Sequence, residues 1–187
     1  MTLGGWTFLA VVVAVVRFAV AVYNRLVGLK QRSAEAWSDI DVQLKRRTDL
    51  VPNLVETVKG YAAHERTTLE QVIRARGAAV AATTPATRAQ AENHLTAALR
   101  QLFAVAEAYP ELKANQNFQS LQGALGTIEA ALQDSRRYYN AVVRDLNTAI
   151  ERFPSNLIAS FFRFPNRAYF EVDRPEDRQV PRVSFSS

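Results

Sequence analysis

The chain has 187 residues, 48% of them hydrophobic and 22% charged, with seven Gly, seven Pro, two His and no Cys. That composition fits a folded domain of ordinary size with an appendage, and excludes a disordered tail, a turn-rich all-β protein, a disulfide scaffold, a zinc finger and a thiol nucleophile. The net charge of +5 is concentrated rather than spread: residues 1–32 hold Arg17, Arg25, Lys30 and Arg32 and no acid, while the rest of the chain sets its basic residues against all 18 acids. This points to a membrane surface and away from a nucleic-acid binder.

The first element is LGGWTFLAVVVAVVRFAVAV, from Leu3 to Val22. An apolar run of about 20 residues, rising about 1.5 Å each, matches a hydrocarbon core of about 30 Å. Trp6 and Tyr23 stand near its ends, where amphipathic aromatics settle among headgroups. Arg17 lies nearer the C-terminal end and can snorkel to that interface. Residues 1–23 therefore read as a transmembrane anchor. A cleaved signal peptide is the rival, because Ala19-Val20-Ala21 has a cleavage-site pattern, and a buried core helix is the third reading. The lack of a basic leader and the presence of Arg17 count against cleavage. Positive charge follows the run and none from side chains precedes it, which favours a cytoplasmic body.

Residues 24–153 read as a long bundle. Leu26, Ser33, Trp37, Ile40, Leu44 and Val51 fall at helical spacing, and no Gly-Pro pair separates them from the apolar run. Pro52 predicts a break near Asp49–Pro52, with Asp49 capping a second helix. That second helix carries Leu54, Val55, Val58, Ala62, Leu69, Val72 and Ile73 and ends by Thr83-Thr84-Pro85. A third, striped by Ala91, Leu95, Ala98, Leu99, Leu102 and Ala106, breaks at Tyr109-Pro110.

The last long helix is the clearest. Phe118, Leu121, Leu125, Ile128, Leu132, Ser135, Tyr139, Val142, Leu146, Ala149 and Phe153 step by threes and fours, the coiled-coil period of a seam between helices. Glu129 falls off that seam and reads as exposed. The fold class is thus all-α: an elongated antiparallel helical bundle with an N-terminal transmembrane helix.

Residues 154–187 are punctuated by Pro154, Pro165, Pro175 and Pro181. They also hold Leu157, Ile158, Phe161, Phe162, Phe164, Tyr169, Phe170, Val172, Val180, Val183 and Phe185. So aromatic a tail covers the bundle or docks on a membrane or partner.

No nucleotide-binding, nucleophile-elbow or zinc-helix motif occurs. His64 and His94 sit on different predicted helices without co-ligands, and no E-x-x-H motif pairs with the acids. Neither a catalytic residue, a metal ligand nor a cofactor site can be named, and the chain reads as a non-enzyme. Lys45-Arg46-Arg47 is a candidate lipid-headgroup contact, with Asp41 and Asp49 near enough to balance it. Asn115-Gln116-Asn117 is either a binding loop or a helix cap.

Several phrases stand together: YNRLVGLKQRSAEAWSDIDVQLKRRTDLVPNLVETVKGYAAHE from Tyr23, YPELKANQNFQSLQ from Tyr109, RRYYNAVVRDLN from Arg136 and FPSNLIASFF from Phe153. In order and over nearly the whole chain, they resemble the LemA family of bacterial membrane proteins. The positions carrying the resemblance include Trp37, Asp41, Arg46, Arg47, Asp49, Pro52, Asn53, Lys59, Tyr61, His64 and Glu65. Later ones are Tyr109, Pro110, Asn115, Asn117, Phe118, Tyr139 and Asn140. The resemblance gives none of them a catalytic role. It implies one N-terminal span and a bundle of long antiparallel helices, in a family that includes a magnetosome-membrane protein and has no established enzymatic activity. Family habit places the body outside the cytoplasm, opposite to the local charge.

The expectation is a membrane-anchored, non-enzymatic scaffold in a bacterial membrane. Its partners are membrane lipid and further copies of itself as a homo-oligomer. The alternative is a lipid- or ligand-binding sensor using the basic run and the Asn-rich turn.

Overall fold

The computed structural model describes residues 3–170, which form six helices and, among the described residues, no strand. They are α1 (Leu3–Lys59), α2 (Arg66–Ala81), α3 (Pro85–Ala106), α4 (Pro110–Ala114), α5 (Gln116–Glu151) and α6 (Ser155–Phe161). The described chain divides into two compact units. One takes the chain up to Arg46 with Gly126–Tyr169, the other takes Arg47–Leu125 and Phe170. Helices α1 and α5 contribute to both.

In the first unit, α1 leaves the apolar run without interruption, as the missing Gly-Pro break predicts. Leu26, Ser33, Ala36, Ile40 and Leu44 of α1 are buried, as are Leu132, Tyr139, Val142, Val143, Leu146 and Ala149 of α5. Leu26 clusters with Ala149, and Trp37 meets Tyr139 edge-on at 5.4 Å, so the two helices run antiparallel. Buried Ser33 turns its hydroxyl back to the Lys30 carbonyl at 2.7 Å. A hydroxyl on an apolar stripe is tolerated when its own helix supplies the acceptor.

The seam of α5 ends earlier than its spacing predicts. Phe153 lies beyond the helix and is exposed, because α5 stops at Glu151 ahead of Pro154. Glu129, expected on the open face, is half-buried.

After α5 the chain turns through α6. The Phe164 amide donates to Ala159 O at 2.9 Å, the Arg163 amide to Ser160 O at 3.2 Å, and Arg163 has φ 55°. This is a Schellman ending with arginine at the left-handed position where glycine is usual. The following residues lie along α5. The Asn147 side chain donates to Arg167 O and accepts from the Arg167 amide, both at 2.9 Å, and the Tyr139 hydroxyl donates to Ala168 O at 2.9 Å. The rest of the C-terminal tail, including Val172, Val180, Val183 and Phe185, lies outside the described residues.

In the second unit the break expected at Asp49–Pro52 is absent. Pro52 lies inside α1, and the helix runs on to Lys59. An unbroken helix would send the residue-52 amide to the Thr48 carbonyl, and proline has no amide hydrogen. Arg76 Nε of α2 donates to that carbonyl instead, at 2.8 Å. The turn falls eleven residues after Asp49, at Gly60, where the Tyr61 and Ala62 amides fold back on Val58 O. Ala62 is fully buried beneath this turn, while Ile73 of the expected stripe is largely exposed.

The α2–α3 connection follows its sequence signals. Thr84 and Thr87 exchange side-chain and backbone hydrogen bonds in a capping box, and Pro85 opens α3. Thr87 replaces the usual Glu or Gln of that motif. Val51, Leu54, Val58, Leu69, Val72, Leu95, Leu99, Leu102, Leu112 and Phe118 form one core cluster.

Candidate functional site

Several of the family-motif residues gather in three arrangements. At the α1–α2 turn, Tyr61 OH accepts from Asn115 Nδ2 at 2.9 Å, and Asn115 Oδ1 accepts the Phe118 amide at 3.0 Å. Asn115 therefore caps α5 and ties it to the turn, which is the capping use of the Asn-rich stretch. Tyr109 OH donates to Glu65 Oε1 at 3.4 Å, and Pro110 opens α4. Phe118 is buried, with its ring 6.0 Å from that of Phe103. His64, expected on a helix, lies in this turn and is exposed, as is His94 on α3. Lys59 pairs with Glu56 at 3.6 Å on the surface, and the Asn53 carbonyl accepts from the Thr57 hydroxyl at 2.8 Å. Asn117 and Asp49 are exposed.

The second arrangement is a buried ion pair. Arg47 Nη1 donates to Glu92 Oε2 at 3.0 Å, and Nη2 donates to Thr96 Oγ1 at 3.0 Å. Arg47 and Glu92 are both buried. A charge is stable inside a core only with a well-placed counter-charge and satisfied donors. Arg47 is therefore committed to the core, and Lys45 and Arg46 are the exposed members of the basic run. Glu92 went unnoticed in the sequence. Its signal was a carboxylate adjoining the Ala91, Leu95 and Ala98 stripe.

The third arrangement surrounds Tyr139, between the Trp37 ring and the Ala168 carbonyl. Burial pushes its phenol pKa above the usual value near 10, and the positive charge of Arg167 works in the opposite direction. Asn140 and Asp41 are half-buried.

Near the end of the apolar run lies a cleft of about 540 Å³, between residues 24–32 of α1 and 145–152 of α5 and its end. Arg25, Arg32 and Arg152 line it with Asp145 and Thr148. Three guanidiniums against one carboxylate suit an anion, and their planar forks match phosphate oxygens. Tyr23 stands beside this region, its ring 4.6 Å from Phe162 and 5.9 Å from Phe164. Trp6 and Arg17 are exposed along α1. From Trp6 to Tyr23 the helix rises about 26 Å. Helix α1 is the one helix among the described residues long and apolar enough to cross a membrane, and its most apolar stretch is not buried. A buried core helix is thus not what this segment forms.

No three His, Cys, Asp or Glu side chains gather into a metal-binding group among the described residues. The arrangements above lock turns and helices together.

The sequence profile of the LemA family matches residues 36–185. The chain belongs to the LemA family. Two relatives of this LemA chain are magnetosome proteins MamQ 1 and MamQ 2 of Paramagnetospirillum magneticum AMB-1. Each is 24% identical over an alignment of 195 positions that covers 90% of this chain and 72% of the relative. The family match begins at residue 36, after the apolar run.

Proposed function

We propose that this LemA-family chain is a membrane-anchored, non-enzymatic scaffold that self-associates through its N-terminal span. The observation that carries the reading is α1 itself. A helix with an exposed apolar segment continues without a break into the packed body, so the membrane anchor and the scaffold are one rigid element over that junction. The relatives' name as magnetosome proteins supports work at a membrane. Arg17 together with Ala10, Ala14 and Ala21 supports association within the bilayer. Small residues let spans approach closely, and an intramembrane charge faces a bundle interior or water.

The test is the protein mass in mild detergent and in nanodiscs. A defined particle well above 20.9 kDa, with cysteine crosslinks between copies along one face of the span, is expected. Arg17→Leu should change its size. A clean monomer in both media, with no crosslink from any face, would sink the self-association. Release of intact protein by alkaline carbonate would sink the span. Changing His64 and His94 to Gln should leave helical content and cellular phenotype near wild type.

A second reading, a sensor for anionic lipid or a phosphate-bearing ligand, is favoured by the arginine-lined cleft. Its test is binding of inorganic phosphate and of phosphatidylglycerol vesicles. Arg25→Gln with Arg152→Gln should weaken whichever binds.

A further inference from the structure

Helix α6 has two apolar sides, and the described chain accounts for one of them. Between Phe153 and Phe164 the sequence FPSNLIASFFRF carries a single charge, Arg163. On the inner side Ala159 is buried with Leu26 and Ala149, and Ile158, Phe164 and Val22 pack on the same cluster. On the outer side Phe153 is 73% exposed, Leu157 60%, Phe161 79% and Phe162 51%. Leu157 and Phe161 are four residues apart and share a helix face. The Phe161 ring lies 5.0 Å from Phe162, whose ring lies 4.6 Å from Tyr23. The patch thus joins the foot of the apolar run.

We propose that this outer face of α6 sits in the interfacial layer of the membrane that α1 crosses, so that the chain meets lipid at two places. The proposal rests on the span reading above. Three observations select lipid as the occupant. The first is position. Val22 and Tyr23 close the apolar run, and these two residues hold α6 through the Leu26 cluster and the Phe162 ring. Whatever depth Tyr23 takes, Phe162 takes a similar one.

The second is composition. Aromatic side chains concentrate at the membrane–water boundary, and Phe153, Phe161 and Phe162 place three of them on this exposed face. The third is charge. Arg25, Arg32 and Arg152 line the cleft described above with Asp145, and Lys30 and Arg163 line a second one of about 300 Å³ with Tyr23 and Phe162; Glu151 adjoins Arg152 in the chain. The Glu151 carboxylate accepts from Asn166 Nδ2 at 2.8 Å. The surplus is positive and suits anionic headgroups. A second copy would also cover the patch, but only after assembly, whereas lipid surrounds the span in every assembly state.

The chain has no cysteine, so single-cysteine variants of the full protein carry one nitroxide label each. Val12→Cys reports the span, Leu157→Cys, Ser160→Cys and Phe161→Cys report α6, and Gln133→Cys on the exposed side of α5 reports water. Each is reconstituted in vesicles of phosphatidylcholine and phosphatidylglycerol. Relaxation by oxygen, which enters lipid, is compared with relaxation by a water-soluble nickel chelate. The parent helical signal checks the fold of each variant. At least one of positions 157, 160 and 161, with position 12, should show an oxygen-to-nickel ratio several-fold above that of position 133. Nickel access at all three α6 positions with lipid access at position 12 would overturn the proposal and leave the span standing. Shielding of the α6 positions from both reagents would overturn it in favour of protein cover. A water-like ratio at position 12 would overturn the span reading and the proposal together.

Discussion

Arg76 donates its Nε hydrogen to the carbonyl of Thr48 at 2.8 Å, four residues before Pro52. A proline inside a helix removes one donor and costs about 3 kcal/mol relative to alanine. Here a side chain from α2 delivers a charged donor to the affected carbonyl. Removing that donor as Arg76→Met should cost about 1–3 kcal/mol in urea unfolding of the full chain in mild detergent. In a Pro52→Ala background the amide of residue 52 can bond to the same carbonyl. The cost of losing Arg76 should then fall by about half or more. Additive effects of the two changes would mean that Arg76 does not stand in for the missing amide.

That relationship also explains why the helix ending was misplaced from sequence. The rule that proline ends a helix is local, whereas the donor that serves the freed Thr48 carbonyl lies 28 positions beyond Thr48. Where the determinants are local, the reading held. Thr84-Pro85 opens α3, and the three-four stepping from Phe118 to Ala149 marks α5. The site was legible as positions and not as jobs. Tyr61 and Asn115 are 54 residues apart, and Glu65 and Tyr109 are 44 apart. Only folding brings each pair together. The role of Glu92 is not legible in the sequence, because its counter-charge lies 45 residues earlier in the chain.

The Arg47–Glu92 pair gives a test of sign as well as size. Glu92→Ala leaves a guanidinium in a buried position and should destabilise by about 3–5 kcal/mol. Replacing both partners, Arg47→Met with Glu92→Leu, should return stability to within about 1 kcal/mol of the parent or above it. Thr96 loses a partner in that double variant, but a helical threonine can bond back to the carbonyl four residues earlier. Thermal unfolding of the single and double variants separates the outcomes. A double variant no better than Glu92→Ala would mean that the pair is needed for a unique packing.

Leu132 is fully buried midway along α5. Leu132→Ala should cost about 2–5 kcal/mol through lost burial and the cavity left behind. Half-buried Glu129 makes a poor surface reference, so its neighbour on the open side, Gln133, serves instead. Gln133→Ala should change stability by no more than about 0.5 kcal/mol. Similar losses at the two positions would put the register of the seam in error.

Tyr139 makes stability depend on alkaline pH in a direction that can be worked out. Its phenol is desolvated, which raises the pKa above the ordinary value near 10, while Arg167 draws it partly back. The raised value means that the folded chain holds this proton more tightly than the unfolded chain does. The stabilisation is therefore complete below the unfolded pKa near 10 and is lost as pH rises through the higher folded value. Deprotonation would also put a negative oxygen against the Ala168 carbonyl that the hydroxyl now serves. Tyr139→Phe removes both the titration and the hydrogen bond. At neutral pH it should lower stability by about 0.5–1.5 kcal/mol. As pH rises above the unfolded value near 10 the parent should lose this advantage and the gap between the two curves should narrow. Lysine deprotonation acts on both proteins alike, so the difference between them isolates Tyr139. Thermal unfolding across that rise in pH is the measurement. A constant gap between parent and variant would show that the phenol titrates alike in the folded and unfolded chain.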